Sequence, residues 1–183
     1  VERIVEAFAE AARFAKSINA DGIEVHGHEG YLIDQFASSI WNRRTDKYGG
    51  DLRARLTFPI EILHAIKDAA GADFTVTYRM AARHFIESKG KGALHASAEE
   101  FGRDVAESIK MAKILEEAGY DGLSLDVGVY ESSYWAHPPN YFERGYALEF
   151  TSAVKHAVRV PVMSAGRLGS PSLANDAVAT GKT

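Results

Sequence analysis

The 183-residue sequence contains no cysteine, which excludes disulfides, thiol nucleophiles and cysteine metal sites and fits a reducing, cytoplasmic setting. It has no run approaching the roughly 18 to 20 apolar residues of a membrane-spanning helix. Its N-terminus lacks the basic-then-apolar order of a secretion signal. Nor is there an excess of basic charge: Lys and Arg number 21 against 25 Asp and Glu, a formal net charge of -4. A general polyanion binder needs a cationic face that this balance does not supply, so nucleic acid is not an expected partner. Finally, no Gly-x-Gly-x-x-Gly follows an apolar run, which removes the usual dinucleotide fingerprint of an open doubly wound sheet.

What is present reads as a globular domain, since 46% hydrophobic residues beside 25% charged ones can form a packed core. Ile4, Val5, Phe8, Ala12, Ala15 and Ile18 recur at helical spacing, so a helix is predicted over residues 1 to 18. The turn signal Asn19-Ala20-Asp21-Gly22 and the strand-like run 23–26 come next. The pattern repeats. A helix is predicted over Leu52 to Ala70, with Leu56, Ile60, Leu63 and Ile66 on one side and Gly71 at its end, before a β-rich run from Phe74 to Arg79. Ser97 and Glu100 predict a capping box for a helix whose stripe is Phe101, Val105, Ile109, Ala112 and Leu115, closed by Gly119. A strand at 123–126, a helix near Ala147 to Ala157, a strand at 160–164 and a helix capped at Ser170-Pro171 complete the series.

This alternation selects a parallel sheet with helical crossovers. The segment from Asp21 to His26 echoes that from Asp121 to Asp126, with apolar and polar positions in step. In each predicted strand the last polar side chain, His26, Arg79, Asp126 or Ser164, is expected to share an inward face with Glu24, Thr77, Ser124 or Val162. That is the catalytic mouth of a (β/α)8 barrel, with about half of one present, since a whole barrel takes about 250 residues. The first residue is Val1 rather than Met, and the last residues interrupt a helical pattern, so residues 1–183 are expected to be a single-domain piece of a longer protein. Long connections at 27–51 and 126–146 follow strand carboxyl ends, where barrel active-site loops belong.

The first connection reads His26-Gly27-His28-Glu29-Gly30-Tyr31-Leu32-Ile33-Asp34-Gln35-Phe36, then Asn42-Arg43-Arg44-Thr45-Asp46-Lys47-Tyr48-Gly49-Gly50-Asp51. It closely resembles the signature of the Old Yellow Enzyme family of FMN-dependent barrel reductases. The second, Tyr130-Glu131-Ser132-Ser133-Tyr134-Trp135-Ala136-His137-Pro138-Pro139, resembles the enoate reductase and bile-acid-inducible flavin oxidoreductase branch. The resemblance implies the incomplete (β/α)8 barrel, about strands 4 to 7, and an enzyme transferring hydride from reduced FMN to the β-carbon of an α,β-unsaturated acid, thioester or enone.

By the same resemblance Tyr31 protonates the α-carbon, and a phenol with a pKa near 10 keeps its proton at neutral pH. His26 binds the carbonyl oxygen, as its strand-end position independently suggests. His137 is a proton relay or carbonyl ligand. Glu29 stands where the family commonly carries Asn or His as the second carbonyl ligand, a departure from the two-donor clamp, because a carboxylate repels an enolate unless it is protonated or turned away. Arg79 matches the arginine at the flavin pyrimidine edge, and Ser164, Ala165, Gly166 and Arg167 match a phosphate loop. NAD(P)H is the implied reductant. An iron-sulfur cluster and FAD belong to relatives of this branch in regions outside this chain. Asp126 has no assigned role, and the stretch Arg43 to Asp46 reads as a loop-fixing ion-pair cluster. The expected partner is a small unsaturated carbonyl compound; a homo-oligomer is left open, and no metal ligand set is assigned.

Two rivals remain at this level. His26-x-His28 at a strand end imitates an amidohydrolase metal site, with His137 and Asp126 as further ligands, although no predicted strand carries a lysine. The segment alone is otherwise expected to be inactive, with two sheet edges and an apolar inner face exposed.

Overall fold

The computed structural model describes residues 1–86 and 99–183. Helix α1 (Glu2–Ser17) leads into β1 (Gly22–His26), followed by β2 (Thr75–Ala81), β3 (Gly122–Asp126) and β4 (Val162–Ser164). The four strands are parallel and neighbour one another in chain order. Parallel neighbours need a long crossover, and α4 (Thr57–Ala70), α5 (Val105–Ala118) and α7 (Leu148–Lys155) supply it, with α8 (Pro171–Ala179) after the last strand. Short helices α2 (Leu32–Ala37), α3 (Leu52–Arg55) and α6 (Ser133–Ala136) punctuate the connections.

Pairing sets the faces. His26 lies beside Arg79, Arg79 beside Ser124, and Ala81 beside Asp126. Because side chains alternate along a strand, Glu24, His26, Thr77, Arg79, Ser124 and Asp126 share one face. On the other, Val25, Val76, Tyr78, Met80, Leu123 and Leu125 are buried in one cluster with Ile62, Leu63 and Ile66 of α4 and Met111, Ala112 and Leu115 of α5. The face away from the helices is therefore polar, as the alternation of His26, Arg79 and Asp126 predicts, and is not the apolar inner face expected of the isolated segment.

Ser164 departs from expectation. It pairs with Leu125 while Met163 pairs with Ser124, so Val162 and Ser164 turn toward the helices and half-exposed Met163 takes the open face. The Ser164 hydroxyl donates to Thr151 Oγ1 of α7 at 2.9 Å.

Three helix predictions are also corrected. In α1 the packed residues are Val5, Phe8, Ala9, Ala12 and Ala15, whereas Ile4 is exposed and Ile18 lies beyond the helix as its C-cap. The stretch from Leu52 to Ala70 breaks at Leu56 into α3 and α4, because Pro59 has no amide to continue the bonding ladder back to Arg55. Helix α5 begins at Val105, with the Asp104 carboxylate accepting from Glu107 N at 2.7 Å. Ser97 falls outside the described residues. Glu100 accepts from the amides of Phe85, Ile86 and Gly102 at 2.7, 2.8 and 2.9 Å, fixing the loop after β2 instead of capping a helix.

Candidate active site

The loops after β1, β2 and β3 meet at the carboxyl ends of the strands. Gly128 N donates to Arg83 O at 2.8 Å, Ser132 Oγ to His84 O, and an isolated parallel bridge joins Glu29 to Val129. Beneath the first loop a Cβ on Gly27 would stand 2.0 Å from the Tyr78 hydroxyl, so the chain passes where only glycine fits. Gly27→Ala is expected to lower stability by about 1–3 kcal/mol through overpacking, read as a reduced urea midpoint in the full-length protein.

Asp126, left without a role by the sequence, organises the centre. Its Oδ2 accepts from Arg79 Nη2 at 2.7 Å and lies 3.0 Å from His28 Nε2. His28 is buried, and its ring centroid is 5.8 Å from that of His26. Glu29, held at φ 59, has Oε1 3.8 Å from His28 Nε2 and 3.3 Å from His137 Nε2. Its carboxylate thus faces two imidazoles. His137, Glu29, His28, Asp126 and Arg79 form a continuous polar row from the exposed rim to the strand face.

Tyr31 stands beside this row. Its ring is 5.5 Å from His26, and its hydroxyl is 2.6 Å from that of Tyr130. That hydrogen bond, chiefly, pushes the Tyr31 phenol above its ordinary pKa. Partial desolvation first, then the neighbouring His28 and Arg79, pushes His26 below the usual imidazole value, which favours the neutral ring that can donate one N–H. Tyr31, His137 and Arg79 are thus at one end of the strands.

A buried network supports Tyr31 from below. Asp34, His84 and Arg103 are fully buried; Asp34 Oδ1 accepts from Arg103 Nη2 and lies 3.4 Å from His84 Nε2. Asp34 Oδ2 accepts from Gly30 N at 3.0 Å. Burial alone would raise the Asp34 carboxyl, but Arg103 and His84 outweigh it and hold the group well below the usual carboxylate range.

The stretch from Arg43 to Asp46 fixes its loop as read from sequence. Arg44 pairs with Asp46, and Asn42 Nδ2 donates to Phe36 O and Tyr48 O at 2.6 and 2.7 Å.

In the expected phosphate loop two groups are committed elsewhere. Ser164 faces α7, and Ala165 N donates to Leu125 O at 2.8 Å. Gly166, at φ 127, passes so close to α7 that a Cβ would lie 2.8 Å from Ala147 Cβ. Arg167 Nη1 donates to Pro139 O and Asn140 Oδ1 at 3.1 and 3.3 Å, tying this loop to the one carrying His137.

Sequence reasoning named His28 only as a metal ligand and gave Tyr130 no role of its own. Period-two spacing already placed Asp126 on the Arg79 face, whereas no local signal brings Tyr130 to Tyr31.

A fit to a flavin can be tested on the open strand face. Among the described residues, His28 Nδ1, Arg79 Nε and Asp126 Oδ1 are buried without a hydrogen-bond partner. Donors and acceptors in want of partners, around a partly exposed guanidinium, suit the alternating carbonyl and N–H edge of a flat heteroaromatic ring.

A parallel β/α sheet with its polar groups gathered in the loops at the strand ends is the layout of β/α-barrel enzymes. Residues 1–183 match the NADH:flavin oxidoreductase / NADH oxidase family along their whole length, and the chain belongs to that family, the Old Yellow Enzyme family whose signature its loops resemble. It is 48% identical over 185 residues to a cinnamate reductase of Clostridium sporogenes, covering 100% of this chain and 28% of that protein. To an NADH oxidase of Thermoanaerobacter brockii it is 38% identical, covering 100% of this chain and 26% of that one. A solved 2-naphthoyl-CoA reductase in complex with 2-naphthoyl-CoA superposes with a TM-score of 0.83 at 33% identity, covering 99% of this chain and 26% of that structure. The chain thus spans about a quarter of the relatives it matches, as four strands of a (β/α)8 barrel. Family membership sets aside the amidohydrolase alternative. Among the described residues no helix is long and apolar enough to cross a membrane.

Proposed function

We propose that the full-length protein is an FMN-dependent ene-reductase, recharged by NAD(P)H, that reduces the activated double bond of an α,β-unsaturated acid, thioester or enone. Residues 1–183 would be part of its FMN-binding barrel domain. The 48% identity to a cinnamate reductase makes trans-cinnamate the first substrate to try. The observation that carries this reading is the row His137, Glu29, His28, Asp126 and Arg79, with Tyr31 beside it at the same end of the strands.

Bound flavin supplies the hydride for the β-carbon. The chain does the rest. Tyr31 gives a proton to the α-carbon, and its raised pKa keeps that proton in place at neutral pH. His26, neutral, donates a hydrogen bond to the substrate carbonyl as negative charge gathers there, with His137, 3.3 Å from Glu29, as the second polar ring at that rim. Arg79, anchored on Asp126, would hold the pyrimidine edge of the flavin, where a fixed cation would favour the anionic reduced form. With Ser164 Oγ and Ala165 N committed within the fold and Arg167 Nη1 engaged by Pro139 O and Asn140 Oδ1, Gly166 and the rest of the Arg167 guanidinium are left to meet the phosphate.

The test is anaerobic. NADH should bleach the flavin band of the full-length protein, and trans-cinnamate should restore it; failure to hold any flavin would end the proposal. Arg79→Met should weaken flavin retention by about ten- to a hundredfold, the cost of one charge-assisted hydrogen bond, measured by fluorescence of flavin released on dilution. The 183-residue segment alone is expected not to hold FMN, and a monomer carrying it stoichiometrically would contradict that expectation.

A further inference from the structure

Two exposed phenols from loops 99 residues apart meet beside the site, with hydroxyl oxygens 2.6 Å apart and rings edge to face at 5.5 Å. Both backbones are pinned. Asp34 Oδ2 holds Gly30 N, and Gln35 Nε2 donates to Gly30 O at 2.6 Å, fixing the turn before Tyr31. Ser132 Oγ accepts from Val129 N at 2.9 Å and donates to His84 O, fixing the turn that carries Tyr130. The contact is thus built by the fold rather than by two free side chains. Tyr130 is the more exposed of the pair, at 59% against 44% for Tyr31, so its hydroxyl has the readier access to water.

We propose that Tyr130 is a positioning residue acting through Tyr31: its hydroxyl orients the Tyr31 phenol and returns a proton to it from solvent after Tyr31 has protonated the substrate. Protons balance at each stage. The Tyr31 O–H breaks as the α-carbon C–H forms; the Tyr130 O–H breaks as the Tyr31 O–H is restored; a solvent proton then restores Tyr130. No electrons pass through either ring. The inference rests on reading Tyr31 as the proton donor.

Tyr130→Phe in the flavin-loaded full-length protein keeps the ring contact and removes only the hydroxyl, at a surface position where folding is not at stake. With trans-cinnamate, kcat should fall about tenfold, the worth of one hydrogen bond to a reacting group. KM should be unchanged and the solvent deuterium isotope effect on kcat should increase. In the Tyr31→Phe background the same substitution should cost nothing more. Independently of turnover, the Tyr31 carbon-13 resonance in tyrosine-labelled protein should titrate at a shifted pH once Tyr130 is phenylalanine. An unchanged kcat and isotope effect, an equal loss in the Tyr31→Phe background, or an unmoved Tyr31 titration would each overturn the role of Tyr130. If Tyr31→Phe itself reduces trans-cinnamate at the wild-type rate, the donor assignment falls and this inference with it; failure of Tyr130 alone leaves the Tyr31→Phe defect in place.

Discussion

Tyr31→Phe in the full-length protein is expected to slow reduction of trans-cinnamate by about 10²–10⁴-fold, the range that a positioned general acid contributes. Reduction of the flavin by NADH should keep its rate, because in the proposed mechanism the phenol serves only the half-reaction in which carbon is protonated. Rapid mixing separates the two: bleaching of the flavin band should match wild type, and recovery on adding trans-cinnamate should be slow. The substitution keeps the ring that packs against His26 and Tyr130, so it isolates the hydroxyl. Equal slowing of both half-reactions would point to a displaced flavin and not to a missing proton.

Asp34→Ala should produce the largest loss of stability, about 3–5 kcal/mol, because it leaves the fully buried Arg103 without its carboxylate. The same change frees the Gly30 amide that positions Tyr31. A fall in the urea midpoint, followed by tryptophan fluorescence of the full-length protein, measures the first effect. The sign of the pH dependence follows from the depressed Asp34 carboxyl. Its stabilisation is complete above the ordinary carboxylate pKa of about 4 and is lost as pH falls below that value toward the depressed folded one. Asp34→Asn should therefore flatten the acid limb of the stability profile relative to wild type.

The sequence carried the sheet because periodicity is a local property. Four apolar runs, each after a helical stripe, gave parallel strands in chain order, and period-two alternation put His26, Arg79 and Asp126 on one face. Ser164 defeated the same reasoning because register is set by pairing: once Leu125 opposes Ser164, the polar side chain turns to α7. The helix break at Leu56 is legible in Pro59, whereas the true start of α5 depends on Asp104, which competed with a plausible capping box upstream. At the site, the signature loops pointed to Tyr31, His26, His137 and Arg79. The groups connecting them, Glu29 to His137, Asp126 to His28 and Tyr130 to Tyr31, arise only where loops from different strands meet. Asp34 shows the same limit, since its partners Arg103 and His84 come from 69 and 50 residues further along the chain.

The central claim is that the polar face of β1 to β3 is the floor of a flavin site with Tyr31 and His137 at its rim. A crystal structure of the flavin-loaded full-length protein tests it most directly. The account predicts the Arg79 guanidinium in hydrogen-bond contact with the pyrimidine edge, and the Tyr31 hydroxyl and His137 ring together over one face of the cofactor. A flavin bound away from Arg79, or with Tyr31 and His137 on opposite sides of the ring, would contradict it.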